Sequence, residues 1–200
     1  MTENKNSSID LGVLIAFVAP GFIVLEALAL RFHEASDWVE QALKSDQSVG
    51  AFLFAALASL SLGLVVSGVR ALALDWLYKR GIVIRVRVRG WCMSAELLKP
   101  IEVPQTNFRL LDKEGSRDAY LLIVENYYRY YQFYSNTLIA VVVLVVCAWD
   151  KLPTGHLAIG LAGSVAALVL FSSARNSYQK MAVGLSSLFG SDAVNDERTT

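Results

Sequence analysis

Few residues in this chain have the type and setting to do chemistry. Glu26 is a carboxylate inside an otherwise uncharged run, residues 11–30. A carboxylate within a membrane span is by default a candidate for function, facing a bundle interior or water. Its competing role is a rim residue whose carboxylate reaches the nearby interface. His33 and His156 fall at a similar depth, where a pH- or cation-responsive cluster is conceivable; unrelated surface histidines are the simpler reading. Arg85, Arg87 and Arg89 alternate with Ile84, Val86 and Val88. That is strand periodicity with one basic face, able to hold anionic headgroups, phosphate-bearing ligands or an acidic partner. The competing reading is a solvated strand face.

Other chemistries lack their residues. Cys92 and Cys147 lie in different settings and are not expected to pair. The two histidines join no Cys/Asp cluster at ligand spacing, so no metal is expected. There is no Gly-rich phosphate loop, no G-x-S-x-G elbow, no H-E-x-x-H and no catalytic carboxylate pair. We therefore expect a non-enzyme without a cofactor. Residues 127–134 place six aromatics in eight positions. A base-stacking platform would use such a run. A headgroup belt and helix packing account for it without a ligand, and no direct nucleic-acid binding is expected.

The elements that carry these residues follow from charge placement. The chain has 200 residues, 18 Lys+Arg and 18 Asp+Glu, with 54% hydrophobic and only 18% charged residues. A soluble domain carries roughly 25% charged residues. The windows 11–30, 49–69, 130–149 and 155–174 hold one formal charge in all, Glu26. Each is about the ~20 residues that cross a ~30 Å hydrocarbon core. The first window has a weakly basic leader and a long apolar run, so it reads as an uncleaved span rather than a signal peptide.

Lys and Arg set the orientation. Segments 1–10, 70–129 and 175–200 hold 15 of them, against 3 in 31–48 and 150–154. Basic flanks stay in the cytoplasm. The expected fold is an all-α membrane protein with four transmembrane helices, both termini inside, and a small cytoplasmic α/β cap between the second and third. Its parts are a polar tail (1–10), two spans (11–69) with an outer loop at 31–48, the cap with helix extensions (70–129), two spans (130–174) and a cytoplasmic tail (175–200). Trp38 and Trp149 would mark the outer belt; Trp76, Tyr130, Tyr131 and Tyr178 would mark the inner one.

Within the spans, Pro20-Gly21 predicts a kink or break. Ala51, Ala55, Ser59, Gly63 and Ser67 recur every fourth residue and form a small-residue face for close helix packing, within the chain or with another copy. Residues 116–150 hold no Pro or Gly and predict one long helix from about Asp118 to Trp149. Gly81 predicts the stop of the second helix. Partner strands for the arginine strand are expected at Ile101–Val103 and Phe108–Leu111. Met181, Leu185, Leu188 and Phe189 predict a short helix beyond the fourth span, and Ser191–Thr200 reads as an unstructured end.

The layout of four spans and one long cytoplasmic loop resembles the small four-helix membrane subunits of two-gene bacterial antiphage systems, such as the membrane component of Kiwa. The resemblance covers the spans and the loop, and no residue is carried over from it. It implies an inner-membrane sensor or scaffold for a cytosolic, nucleic-acid-binding effector. The resulting expectation is a homo-oligomeric scaffold that contacts the lipid bilayer and a cytosolic protein partner. A pore or membrane-perturbing effector is the alternative. That reading needs a polar stripe along one span, and the available Ser, Thr and Asn residues do not form a continuous one.

Overall fold

The computed structural model describes residues 11–43, 49–88, 91–104, 116–149, 151 and 156–196. The elements are α1 (Leu11–Arg31), α2 (His33–Leu43), α3 (Val49–Arg80), β1 (Ile82–Val88), β2 (Trp91–Leu98), α4 (Ser116–Ile123), a π-helical turn (Val124–Tyr128), α5 (Arg129–Ala148) and α6 (His156–Asp196). Three helical stretches are long and apolar enough to cross a membrane: Phe52–Arg80, Ser116–Ala148 and Ala158–Phe189. At 29, 33 and 32 residues, and ~1.5 Å per residue, each outruns a ~30 Å core.

The chain forms two compact units. Unit 1 comprises Met1–Arg70 and Gln132–Ala174; unit 2 comprises Ala71–Tyr131 and Arg175–Thr200. The division cuts α3, α5 and α6 within continuous helix.

In unit 1, α1 runs through Pro20 without a break. Of the expected kink or break, the break does not occur, and the packing described below accounts for its absence. The segment 31–48 is not simply a loop, because it contains the amphipathic helix α2. Ala35 and Val39, one turn apart, are buried, while His33, Glu34, Asp37 and Glu40 are exposed. Phe32 N–H donates to the Leu28 carbonyl and Ser36 N–H to the Phe32 carbonyl, so hydrogen bonding continues across the α1–α2 corner. The core gathers Val24, Val66 and Ala140, with Leu62 and Val143 against them.

In unit 2, Gly81 ends α3 with φ 68°, a left-handed conformation that costs glycine little. β1 then pairs antiparallel with β2, from Ile82 opposite Leu98 to Val88 opposite Trp91. The partner strand is therefore Trp91–Leu98, contiguous in sequence. Ile101–Val103 is not a strand, because Pro100 and Pro104 flank it and proline removes a ladder donor. Phe108–Leu111 lies outside the described residues. The chain returns to α3, where Ile101 N–H donates to the Tyr78 carbonyl at 2.9 Å. The long third helix is continuous from Ser116 to Ala148, with a π-helical turn inside it.

α6 continues to Asp196. The end read as unstructured is thus helical up to that residue, and positions 197–200 lie outside the described residues. Met181, Leu185 and Phe189 are buried along one face of α6. Tyr120 of α4 meets Phe189 with ring centroids 6.4 Å apart.

Candidate functional site

Unit 1 has a polar node built around a proline. Pro20 has no N–H, so the carbonyl four residues earlier, at Ala16, loses its helical partner. The Asn136 side chain of α5 supplies one: Nδ2 donates to the Ala16 oxygen at 3.1 Å. Asn136 is fully buried. This is how a proline is tolerated in an apolar bundle, with a neighbouring helix satisfying the freed carbonyl.

The next residue brings in α3. A Cβ on Gly21 would run into the Ser59 carbonyl, and one on Gly63 would run into the Phe17 carbonyl. The two contacts step four residues in opposite directions, so α1 and α3 are antiparallel and touch backbone to backbone. Pro20-Gly21 and the small-residue face, two separate features of the sequence, meet at one crossing. Ser59 and Gly63 are buried there, and Ala55 and Ser67 are half-buried. The side chain of Ala51 lies outside the described residues. The small-residue face thus has a partner within the chain, at least at Ser59 and Gly63.

Among the described residues, Ser59 Oγ, Ser135 Oγ, Thr137 Oγ1 and Asn136 Oδ1 are buried and meet no hydrogen-bond partner. All four belong to unit 1. Beside the node, α1, α2 and α3 enclose an open groove of about 670 Å³. Ile15, Phe22, Leu25, Val39, Phe52 and Ala56 are among its lining residues, with Ser59 also in its wall. Glu26 is half-buried on α1 and is not among the lining residues.

Unit 2 has a different centre. Tyr78, Tyr131 and Tyr178, from α3, α5 and α6, are all buried. Tyr78 stacks on Tyr178 at 5.5 Å, and Tyr131 lies 4.9 Å from Tyr178 and 6.1 Å from Tyr78. The Tyr131 hydroxyl donates to the Asp75 carboxylate. Tyr131 and Tyr178 therefore do not form an exposed inner belt; they are consumed in packing. Tyr130 and Trp76 are exposed, and the Arg80 guanidinium lies 4.9 Å from the Trp76 ring centre.

No protein-family model, no curated protein and no solved structure matches this chain. Arg85 and Arg87 stand on β1, opposite Ser94 and Cys92. Their side chains and all of Arg89 lie outside the described residues. Among the described residues, no group of three His, Cys, Asp or Glu comes together as a metal site.

Sequence offers Asn136 only as one of the scattered polar residues of the spans, not as a partner of α1, and does not single out Asp75. The signal for Asn136 was present: a buried amide in an apolar span, in a chain whose other spans include a proline. For α2 the signal was Ala35 and Val39 at helical spacing in a segment otherwise read by its charge.

Proposed function

We propose that this chain is a non-enzymatic, multi-pass membrane subunit that presents unit 2 to a soluble partner on the cytoplasmic side. The observation that carries the reading is the division into two units. It falls at 70/71, 131/132 and 174/175, within two residues of where the charge pattern changes. Unit 2 holds 13 of the 18 Lys and Arg residues. Unit 1 holds the uncharged runs. α1 is the fourth span: its 21 residues reach ~31 Å at ~1.5 Å each, about the thickness of the hydrocarbon core. The chain then has both termini inside, in a bacterial inner membrane.

In this reading β1 and β2 are part of a small α/β cap, and Arg85, Arg87 and Arg89 form its binding face for an acidic partner or anionic ligand. The exposed apolar faces of α3 and α6, with Leu57, Leu64, Leu161 and Leu168, meet lipid or further copies in a homo-oligomer. The likeness in layout to membrane subunits of antiphage systems makes a cytosolic nucleic-acid-binding effector the first partner class to test.

Three measurements decide it. Cysteines placed at positions 45 and 95 are labelled in intact cells: 45 is expected to react from outside and 95 is not. Site-specific photo-crosslinkers at 85 and 87 are expected to capture a soluble protein, and the triple change of Arg85, Arg87 and Arg89 to Glu is expected to abolish capture while sparing insertion. Labelling of 95 from outside overturns the topology. Ion flux from liposomes holding the pure chain would replace the scaffold reading with a pore.

A further inference from the structure

We propose that the C-terminal end of α3 is a site for the phosphate of an anionic phospholipid, such as phosphatidylglycerol, held by Lys79, Arg80 and Lys99. The inference rests on the reading that α3 crosses the bilayer, and its chemistry is the same in either leaflet.

The helix face sets the depth. Leu72 and Trp76 are one turn apart on α3, and both are exposed, Leu72 by 82%. Lys79 and Arg80 follow Trp76 by three and four positions and are exposed as well, so they continue the same face. Leucine, then indole, then cations is the order of one leaflet: acyl chain, interface, phosphate. The rise from Trp76 to Arg80 is ~6 Å at ~1.5 Å per residue, and one headgroup layer is ~5–7 Å deep. With the indole at the edge of the hydrocarbon, the two cations reach the phosphates.

The return of the chain adds a third cation. A Cβ on Gly81 would meet the Leu98 carbonyl and the Pro100 ring, and Ile101 N–H donates to the Tyr78 carbonyl at 2.9 Å. Lys99 is thereby tied to this helix end, and it is exposed. The Arg80 guanidinium lies 4.9 Å from the Trp76 ring centre, a cation–π contact that holds it over the indole without a carboxylate. Among the described residues, the side chains of Lys79, Arg80 and Lys99 make no ion pair or hydrogen bond. Two carboxylates stand by them in the sequence. Asp75 is half-buried and accepts from the Tyr131 hydroxyl, and Glu102 is exposed. The balance stays positive, with one of the two carboxylates already engaged.

Charge and apolar face together choose the occupant. A soluble phosphate matches the cations but leaves Leu72 and Trp76 bare. A zwitterionic lipid covers them but brings an ammonium toward three cations. A second copy in two-fold contact here would set three cations near three identical ones. A lipid with a net negative headgroup satisfies both demands.

The test uses the full chain in mild detergent with equal phosphatidylglycerol and phosphatidylcholine, read by native mass spectrometry. Phosphatidylglycerol is expected to be retained at least about fivefold over phosphatidylcholine, the scale of one cation near an anionic membrane surface. Lys79→Gln, Arg80→Gln and Lys99→Gln together change only exposed side chains, so the fold is not at risk; this variant is expected to lose the preference. Lys79→Arg, Arg80→Lys and Lys99→Arg together keep the charge and are expected to keep the preference. Inorganic phosphate at the lipid's concentration is expected to displace no lipid, and a photo-crosslinker at 72 in cells is expected to give a lipid adduct. The inference is overturned by equal retention of the two lipids, or by a preference that survives the three Gln changes, which would assign it to the arginine strand. It is also overturned by loss of preference in the charge-keeping variant, by displacement with phosphate, or by a protein adduct at 72. The topology fails separately: labelling of 95 from outside would move the site to the other leaflet and leave the lipid results standing.

Discussion

The two units hold their helices together by opposite means. At the α1–α3 crossing in unit 1, side chains are taken away: Gly21 and Gly63 bring backbone against backbone, and Asn136 adds one hydrogen bond. In unit 2 the bulkiest side chains fill the centre, with three tyrosines in mutual contact. The physics of the two settings explains the difference. Lipid tails are as apolar as leucine, so burying a large side chain between spans gives little, and close approach supplies dispersion instead. Where water is the competitor, each buried aromatic removes apolar surface from solvent. On the proposed topology, the packing style of each unit matches the solvent it would meet.

Five substitutions break or sharpen this contrast, each read as a shift in thermal unfolding of the detergent-solubilised chain. The largest effect is expected for Tyr131→Ala, ~3–5 kcal/mol, as for other buried aromatics. A loss below ~1 kcal/mol would mean that the cluster is lipid-embedded and gains little from burial. Gly63→Leu is expected to cost ~1–3 kcal/mol or more, because its side chain meets the Phe17 backbone, which cannot rotate away. An unchanged unfolding temperature and elution profile would refute the crossing.

Asn136→Leu is expected to cost ~1 kcal/mol, the scale of a hydrogen bond within a helical membrane bundle. The informative partner is Pro20→Ala, which restores the N–H that Ala16 lacks. In that background Asn136→Leu should cost little, and equal costs in both backgrounds would show that the amide does not serve the carbonyl. The smallest effect is expected for Tyr131→Phe, ~1 kcal/mol, from the lost bond to Asp75. If Tyr131→Phe matched Tyr131→Ala, the hydroxyl rather than the ring would be the anchor.

The sequence made the apolar helices legible because charge exclusion over ~20 residues is a strong local signal. The stop at Gly81 and the long helix through 116–148 were readable for similar reasons, from one special glycine and a stretch without breakers. The site was legible only in halves. Pro20-Gly21 suggested distortion, and the Ala55–Ser67 series suggested close packing, but nothing local says that the two meet. Asn136 lies 120 positions from Ala16, and no periodicity links an amide to a distant orphan carbonyl. The partner of β1 is not legible because the hydrophobic pattern of 91–98 is weak, and a hairpin needs only proximity. The charges of α2 mask its helical signal, which rests on only two buried residues, Ala35 and Val39.

Pro20 and Asn136 also constrain how this sequence can change over generations. A chain that gains the proline first strands a carbonyl at Ala16. One that gains the amide first buries a donor whose acceptor is already engaged in the helix. Either intermediate is weaker than both end states, so the two positions should be inherited together or absent together. Among related chains, a proline here without a donor on α5 should be the rarest combination of the four.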